Sequence, residues 1–114
     1  MNNLNNRVQL VGRLGNDPEL KTFGKDKKMA RFSVATSDKY KNQKGEAIED
    51  TQWHNIVIWN TGLVGITEKY LKKGSQVIVE GKLTHREWEN EEGKKQYISE
   101  INVNGLKMLG SPKA

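Results

Sequence analysis

The chain has 114 residues, of which 34% are hydrophobic, enough for one domain with a compact, barrel-like core and too few for a large layered one. Nineteen Lys/Arg against fourteen Asp/Glu give a net charge of +5, which favours a polyanionic partner over an acidic protein. The absence of cysteine excludes disulfides and thiolate metal sites, and no apolar run approaches the ~18 residues of a membrane span.

The opening, Met1-Asn2-Asn3-Leu4-Asn5-Asn6-Arg7, lacks the apolar centre of a signal peptide, so a cytoplasmic protein is expected. Asn5–Leu14 reads as a first strand, with Val8, Leu10, Gly12 and Leu14 on one side and Arg7, Gln9, Val11 and Arg13 on the other. Gly12 predicts a bulge or a sharp bend there. Gly15-Asn16-Asp17-Pro18 is turn chemistry, with no Gly-Lys-Ser/Thr after it to cradle a phosphate.

Leu20–Phe23 fits a short strand before a lysine-rich tip, Gly24-Lys25-Asp26-Lys27-Lys28. Met29–Ser37 is predicted as the next strand, with Ala30, Phe32 and Val34 inward and Arg31 and Ser33 outward. A polar loop is expected over Asp38–Asp50, carrying Tyr40 among lysines. Residues 20–45 hold eight Lys/Arg and two Asp/Glu, a net of +6, which leaves −1 for everything else. The positive field therefore belongs to this strand and its flanks.

Thr51–Trp59 is β-branched and aromatic without Gly or Pro, the strongest strand signal in the chain. Alternation puts Trp53, Asn55, Val57 and Trp59 on one face and His54, Ile56 and Ile58 on the other. The isoleucines hold the second face on a core. The first then carries two tryptophans about 20 Å apart along the strand. Either a flat partner such as unpaired nucleic-acid bases covers them, or both faces are buried by a sheet or a second subunit.

Asn60 or Thr61 caps a helix predicted to run to about Leu71, with an apolar stripe of Leu63, Ile66, Tyr70 and Leu71, and Gly74 as its stop. It reads as a plug for one end of a barrel. Gln76–Trp88 is a long strand with Val77, Val79, Gly81 and Leu83 inward and Lys82, Arg86 and Trp88 outward. A hairpin tip over Glu89–Lys94 leads to a last strand, Gln96–Met108. The order is that of an all-β, five-stranded Greek-key barrel of the oligonucleotide/oligosaccharide-binding (OB) fold, with one helix between its third and fourth strands.

Catalysis has no visible basis. His54 and His85 lack an acid at fixed short spacing, there is no His-Glu-x-x-His or Walker motif, and no serine sits in a nucleophile elbow. The acids of Glu87–Glu92 read as a solvated loop. No enzyme activity, cofactor or metal is expected. Binding is where the signal lies: Tyr40, Trp53, Trp59 and Trp88 each stand on an outer face or a polar loop near Lys or Arg. Trp88, between Glu87 and Glu89, has little reason to be in a core. Rings stack on any base and basic side chains meet any phosphate, so the combination predicts salt-sensitive, sequence-tolerant binding.

Three blocks resemble the bacterial single-stranded DNA-binding protein family: Asn6 to Glu19 (N-R-V-Q-L-V-G-R-L-G-N-D-P-E), Thr51 to Trp59 (T-Q-W-H-N-I-V-I-W) and Tyr70 to Gly81 (Y-L-K-K-G-S-Q-V-I-V-E-G). The resemblance implies an OB domain over residues 1–109, a homotetramer, and DNA wrapped over aromatic rings in replication, recombination and repair. It makes Trp53 and Trp88 stacking residues, keeps a ring at Trp59 and Tyr40 where the family often has Phe and Trp, and places His54 near subunit contacts. Lys21, Lys73 and Arg86 are implied phosphate contacts, with Arg31 and Arg7 beside them. Asn55, counted with the DNA-facing set, and Glu87 stand where the family commonly has basic residues. The family's acidic, Phe-terminated tip has no counterpart in the remnant at 110–114, which puts recruitment of replication and repair proteins in doubt. An OB module of a primosome or RNA chaperone, and a purely structural oligomerisation domain, are the alternatives.

Overall fold

The computed structural model describes residues 4–25 and 27–109. Asp26 of the expected lysine-rich tip and the remnant at 110–114 lie outside the described residues. Six strands and one helix follow in the order β1 (Val8–Leu14), β2 (Glu19–Phe23), β3 (Lys27–Lys41), β4 (Ala47–Ile58), α1 (Thr61–Tyr70), β5 (Gln76–Glu89) and β6 (Lys95–Leu109). Neighbouring strands run β1-β5-β6-β4-β3, and β3 returns to β1 through Arg13↔Ala35 and Leu14↔Val34. These five strands close the expected OB barrel, and β2 is an added edge strand on β3. All pairings are antiparallel except β4 with β6, where Ile56 meets Ile101 in parallel.

The core forms where the apolar alternation of each strand meets the barrel axis. Phe32 and Val34 of β3, Ile56 and Ile58 of β4, Val77 and Val79 of β5 and Ile101 and Val103 of β6 are all buried in one cluster. Gly12 sits in the closure: a Cβ there would collide with the Ala35 carbonyl oxygen and crowd Val34. The β1 ladder to β5 passes through Gly12 in continuous register, so this glycine serves a close approach of β1 to β3. The bulge lies instead between Glu80 and Gly81. Before β1, the Asn6 side chain takes over the strand's pairing, donating to Leu83 O and accepting from Leu83 N, both at 2.9 Å.

The helix plugs the barrel on a face turned from the expected one. Val64, Thr67 and the following Leu71 are buried, whereas Ile66 and Tyr70 are exposed. Thr67 can be buried because its hydroxyl donates to Leu63 O at 2.8 Å, leaving its methyl for the core. Asn60 is the cap, its Oδ1 accepting from Leu63 N at 3.1 Å.

The expected loop over Asp38–Asp50 is largely strand. β3 and β4 remain paired out to Lys41↔Ala47, with a 3.3 Å hydrogen bond between the Ser37 and Thr51 hydroxyls across the ladder. β5 runs one residue past the expected Trp88 to Glu89, so that the acids Glu87 and Glu89 are strand residues, and the second tip is confined to Asn90–Lys94. Both tips share one construction, Asn-Gln-Lys-Gly-Glu at 42–46 and Asn-Glu-Glu-Gly-Lys at 90–94. In each, the asparagine Oδ1 accepts from two backbone N–H groups, those of Lys44 and Glu46 or of Glu92 and Lys94. The glycine then turns the chain at a φ of 79° or 80°. The result is two arms, β3–β4 and β5–β6, that extend beyond the barrel. Leu83, expected inward, lies past the bulge where the barrel has ended, and is 38% exposed.

Candidate nucleic-acid interface

A groove of about 820 Å³ runs across the outer face of the barrel, between β2 and the β5–β6 arm. Its aromatic walls come from both sides. Phe23 at the end of β2 and Trp59 just after β4 form a tilted pair, with centroids 5.5 Å apart and planes at 36°. Trp88 of β5 stands at the same groove with the Arg86 guanidinium 5.7 Å from its ring centroid, within cation–π range. Trp59 and Trp88 are each 45% exposed. Neither ring is sealed in the core, because the alternation that buries Ile56, Ile58, Val77 and Val79 sends these side chains to the opposite face.

The floor is charged. Glu100 of β6, at 4% exposure, receives Arg86 Nε on Oε1 at 2.7 Å and Arg86 Nη2 on Oε2 at 3.0 Å. Arg31 Nη2 approaches the same Oε2 at 3.6 Å. The hydrogen bond to Glu100 raises the pKa of Arg86 above its ordinary value, against a smaller opposing effect of burial, so its charge is permanent. Lys21, which also pairs with Glu19 at 3.9 Å, lines the β2 side.

The other sequence-predicted residues fall elsewhere. Trp53, 63% exposed, lies against Gly15 and lines a second cleft of about 330 Å³ with Asn55, Leu83 and Tyr97, where the two arms diverge. Asn55 Nδ2 donates to Ser99 O at 3.2 Å. Tyr40 is exposed on the β3–β4 arm and does not line either cavity. Lys73 follows α1, its backbone N–H donating to Asp17 Oδ1 at 2.8 Å. Arg7 is engaged by Glu80, Nη2 to Oε1 at 2.8 Å, away from the groove. His54 Nε2 lies 3.0 Å from Thr36 Oγ1, and Glu87 pairs with Lys95 at 3.4 Å. The structure therefore brings Lys21, Arg31, Trp59, Arg86 and Trp88 together in one groove, puts Trp53 and Asn55 in another, and leaves Arg7, Tyr40 and Lys73 outside both.

Phe23 and Glu100 are the ring and the charge of this groove that the sequence reading did not single out. Phe23 was visible only as the end of a short strand. Glu100 carried a signal: an acid between Ile98 and Ile101 in a strand must find a cation if its face is covered.

Aromatic rings and guanidiniums on the outer face of a small barrel fit a single-stranded polyanion. The model of the Single-strand binding protein family matches residues 5–109. The chain belongs to this family. Among curated relatives of this family member, Single-stranded DNA-binding protein 1 of Chlorobaculum tepidum is 43% identical over 107 residues, covering 93% of the chain and 65% of the relative. The single-stranded DNA-binding protein of Rickettsia typhi is 41% identical over 97 residues, covering 84% and 64%. The chain thus spans just under two thirds of the length of the relatives it matches. Among solved structures, a Plasmodium falciparum SSB in complex with ssDNA superposes with a TM-score of 0.86 at 33% identity, covering 96% of this chain and all of that one.

Proposed function

We propose that this chain is a non-catalytic binder of single-stranded DNA that covers and protects unpaired strands during replication, recombination and repair. The observation that carries the reading is the groove itself: Phe23, Trp59 and Trp88 uncovered around a floor that holds Arg31 and Arg86. Bases stack on the rings at roughly 1–3 kcal/mol each, without regard to sequence. Lys21, Arg31 and Arg86 supply positive charge beside them, and phosphates displace counterions there. Trp53 in the second cleft extends the path, with Asn55 beside it as a neutral contact. Tyr40 on its arm, Lys73 after the helix and Arg7 before β1 are reached only by a strand that leaves the groove and follows the outside of the domain.

The same reading includes a homotetramer working in the cytoplasm at the nucleoid. Val11, apolar and exposed on β1, supports self-association, and sedimentation equilibrium gives the state directly. Tryptophan fluorescence tests the binding. Oligo-dT is expected to quench emission strongly at low salt, and Trp88→Ala or Trp53→Ala to weaken affinity by roughly 1–3 kcal/mol each. Unquenched emission would return the rings to a structural role. A clear preference for RNA of equal length would favour the RNA-chaperone kind of OB module.

A further inference from the structure

Two guanidiniums reach the groove floor, and a single buried carboxylate treats them unequally. The Nε–Nη2 edge of Arg86 is the fork that best matches a carboxylate or a phosphate. Glu100 occupies that whole edge, one oxygen to each nitrogen. Arg86 is thereby held beside the Trp88 ring, and this Nε–Nη2 edge is taken, leaving an incoming anion only its Nη1 side. Arg31 is different. Its one approach to Glu100, 3.6 Å from Nη2, is an ion pair without a hydrogen bond, and its Nε is sealed from solvent while donating to nothing among the described residues.

A buried donor without an acceptor is unfavourable, and it is relieved when the side chain swings toward an anion that arrives in the groove. Arg31 lies on β3 opposite Glu19 of β2 and Val57 of β4, so it stands between the β2 wall and the Trp59 strand.

We propose that Glu100 is a positioning residue that divides the work of the two arginines: it stands in for a phosphate on Arg86, fixing that guanidinium beside Trp88, and leaves Arg31 as the residue that takes a phosphodiester of the bound strand. The inference rests on the DNA-binding reading above and adds to it which cation exchanges its counterion for DNA. It follows that the basic residue nearest the stacking tryptophan contributes order, and the counterion-releasing contact comes from a residue on the opposite strand of the groove.

The experiment is a salt titration of oligo-dT binding to the full chain, read as the slope of log K against log salt. Each phosphate neutralised on a single strand contributes about −0.7 to that slope. Arg31→Met leaves the Arg86–Glu100 pair intact and is expected to make the slope shallower by about 0.7. Glu100→Gln frees the Arg86 fork for a phosphate and is expected to make it steeper by about the same amount, with a change in Trp88 emission as the guanidinium leaves its fixed place. An unchanged slope in Arg31→Met overturns the proposal, as does a shallower or unchanged slope in Glu100→Gln. If Glu100→Gln does not fold, Arg31→Met decides alone. Wild-type chain that fails to bind oligo-dT at low salt removes the DNA-binding reading and this inference together, whereas wild-type binding with unaltered variant slopes removes only the inference.

Discussion

Between Met29 and Val34, β3 alternates between the core and the groove, while from Ser37 to Lys41 every residue is exposed, although both halves keep one continuous ladder to β4. β5 repeats the contrast, with Val77, Val79 and Gly81 buried and His85 to Glu89 exposed. The backbone hydrogen bonds are equivalent in the two halves and the apolar burial is not. Burial sets where the barrel ends. Pairing and the Asn-x-x-Gly-x tips carry the arms beyond it, and on the arms nearly every side chain faces outward. The candidate groove draws on both lengths, Arg31 and Trp59 from the barrel and Arg86 and Trp88 from the arm, so the same strands hold the core on one face and the groove on the other.

That division can be broken most sharply at the core. Ile56→Ala is expected to lose about 2–5 kcal/mol, read as a lower urea midpoint at constant m-value. Gly12→Ala forces a methyl onto the Ala35 carbonyl and is expected to cost about 1–3 kcal/mol, while Gly105→Ala, whose added carbon meets only Glu80 Cβ at 3.8 Å, leaves the midpoint unmoved. Equal effects of the two glycine substitutions would disprove the close approach as the reason for Gly12. Asn60→Ala removes the cap of the plugging helix and is expected to cost about 1 kcal/mol.

The smallest effect belongs to the arms. Tyr40→Ala is expected to change stability by less than about 1 kcal/mol, since a cross-strand pair is all it loses. Native-state hydrogen exchange sharpens the contrast further: amides of residues 37–41 and 47–51 should open well before those of Phe32 and Ile56, despite the shared ladder. Protection of equal strength along β3 would mean that the arms are braced by something other than pairing.

Strand and helix order was legible because Met29–Val34, Thr51–Ile58 and Val77–Gly81 carry β-branched or aromatic residues in alternation, and Asn60 and Gly74 bracket the helix. The β5–β6 arm was legible as well, as Gln76–Trp88 and Gln96–Met108 around a tip; the β3–β4 arm was not, since Asp38-Lys39 and Glu49-Asp50 carry no apolar face for periodicity to register, and polar strands then look like loop. The helix stripe was misplaced because Thr67 reads as polar until its hydroxyl is seen bonded to Leu63 O. The tryptophans could be assigned to an outer face from alternation alone. Their grouping could not: that Trp59 meets Phe23, and that Glu100 joins Arg31 to Arg86, depends on the curl of β2 and the β5–β6 arm around one groove.

The closure of the barrel also joins strands that leave the ribosome far apart in time. Val8 finds its antiparallel partner in Gly81, and the β1–β5 ladder runs from there to Arg13↔Gln76. At about 5–20 residues per second, on the order of 4–15 s separates the appearance of the two strands at the ribosome. During that interval the pairing of Arg13 and Leu14 with β3 and the Gly15–Ser33 hydrogen bond are open to β1, but its ladder to β5 is not, so its Val8–Gly12 flank is expected to stay unzipped until the carboxy-terminal half arrives.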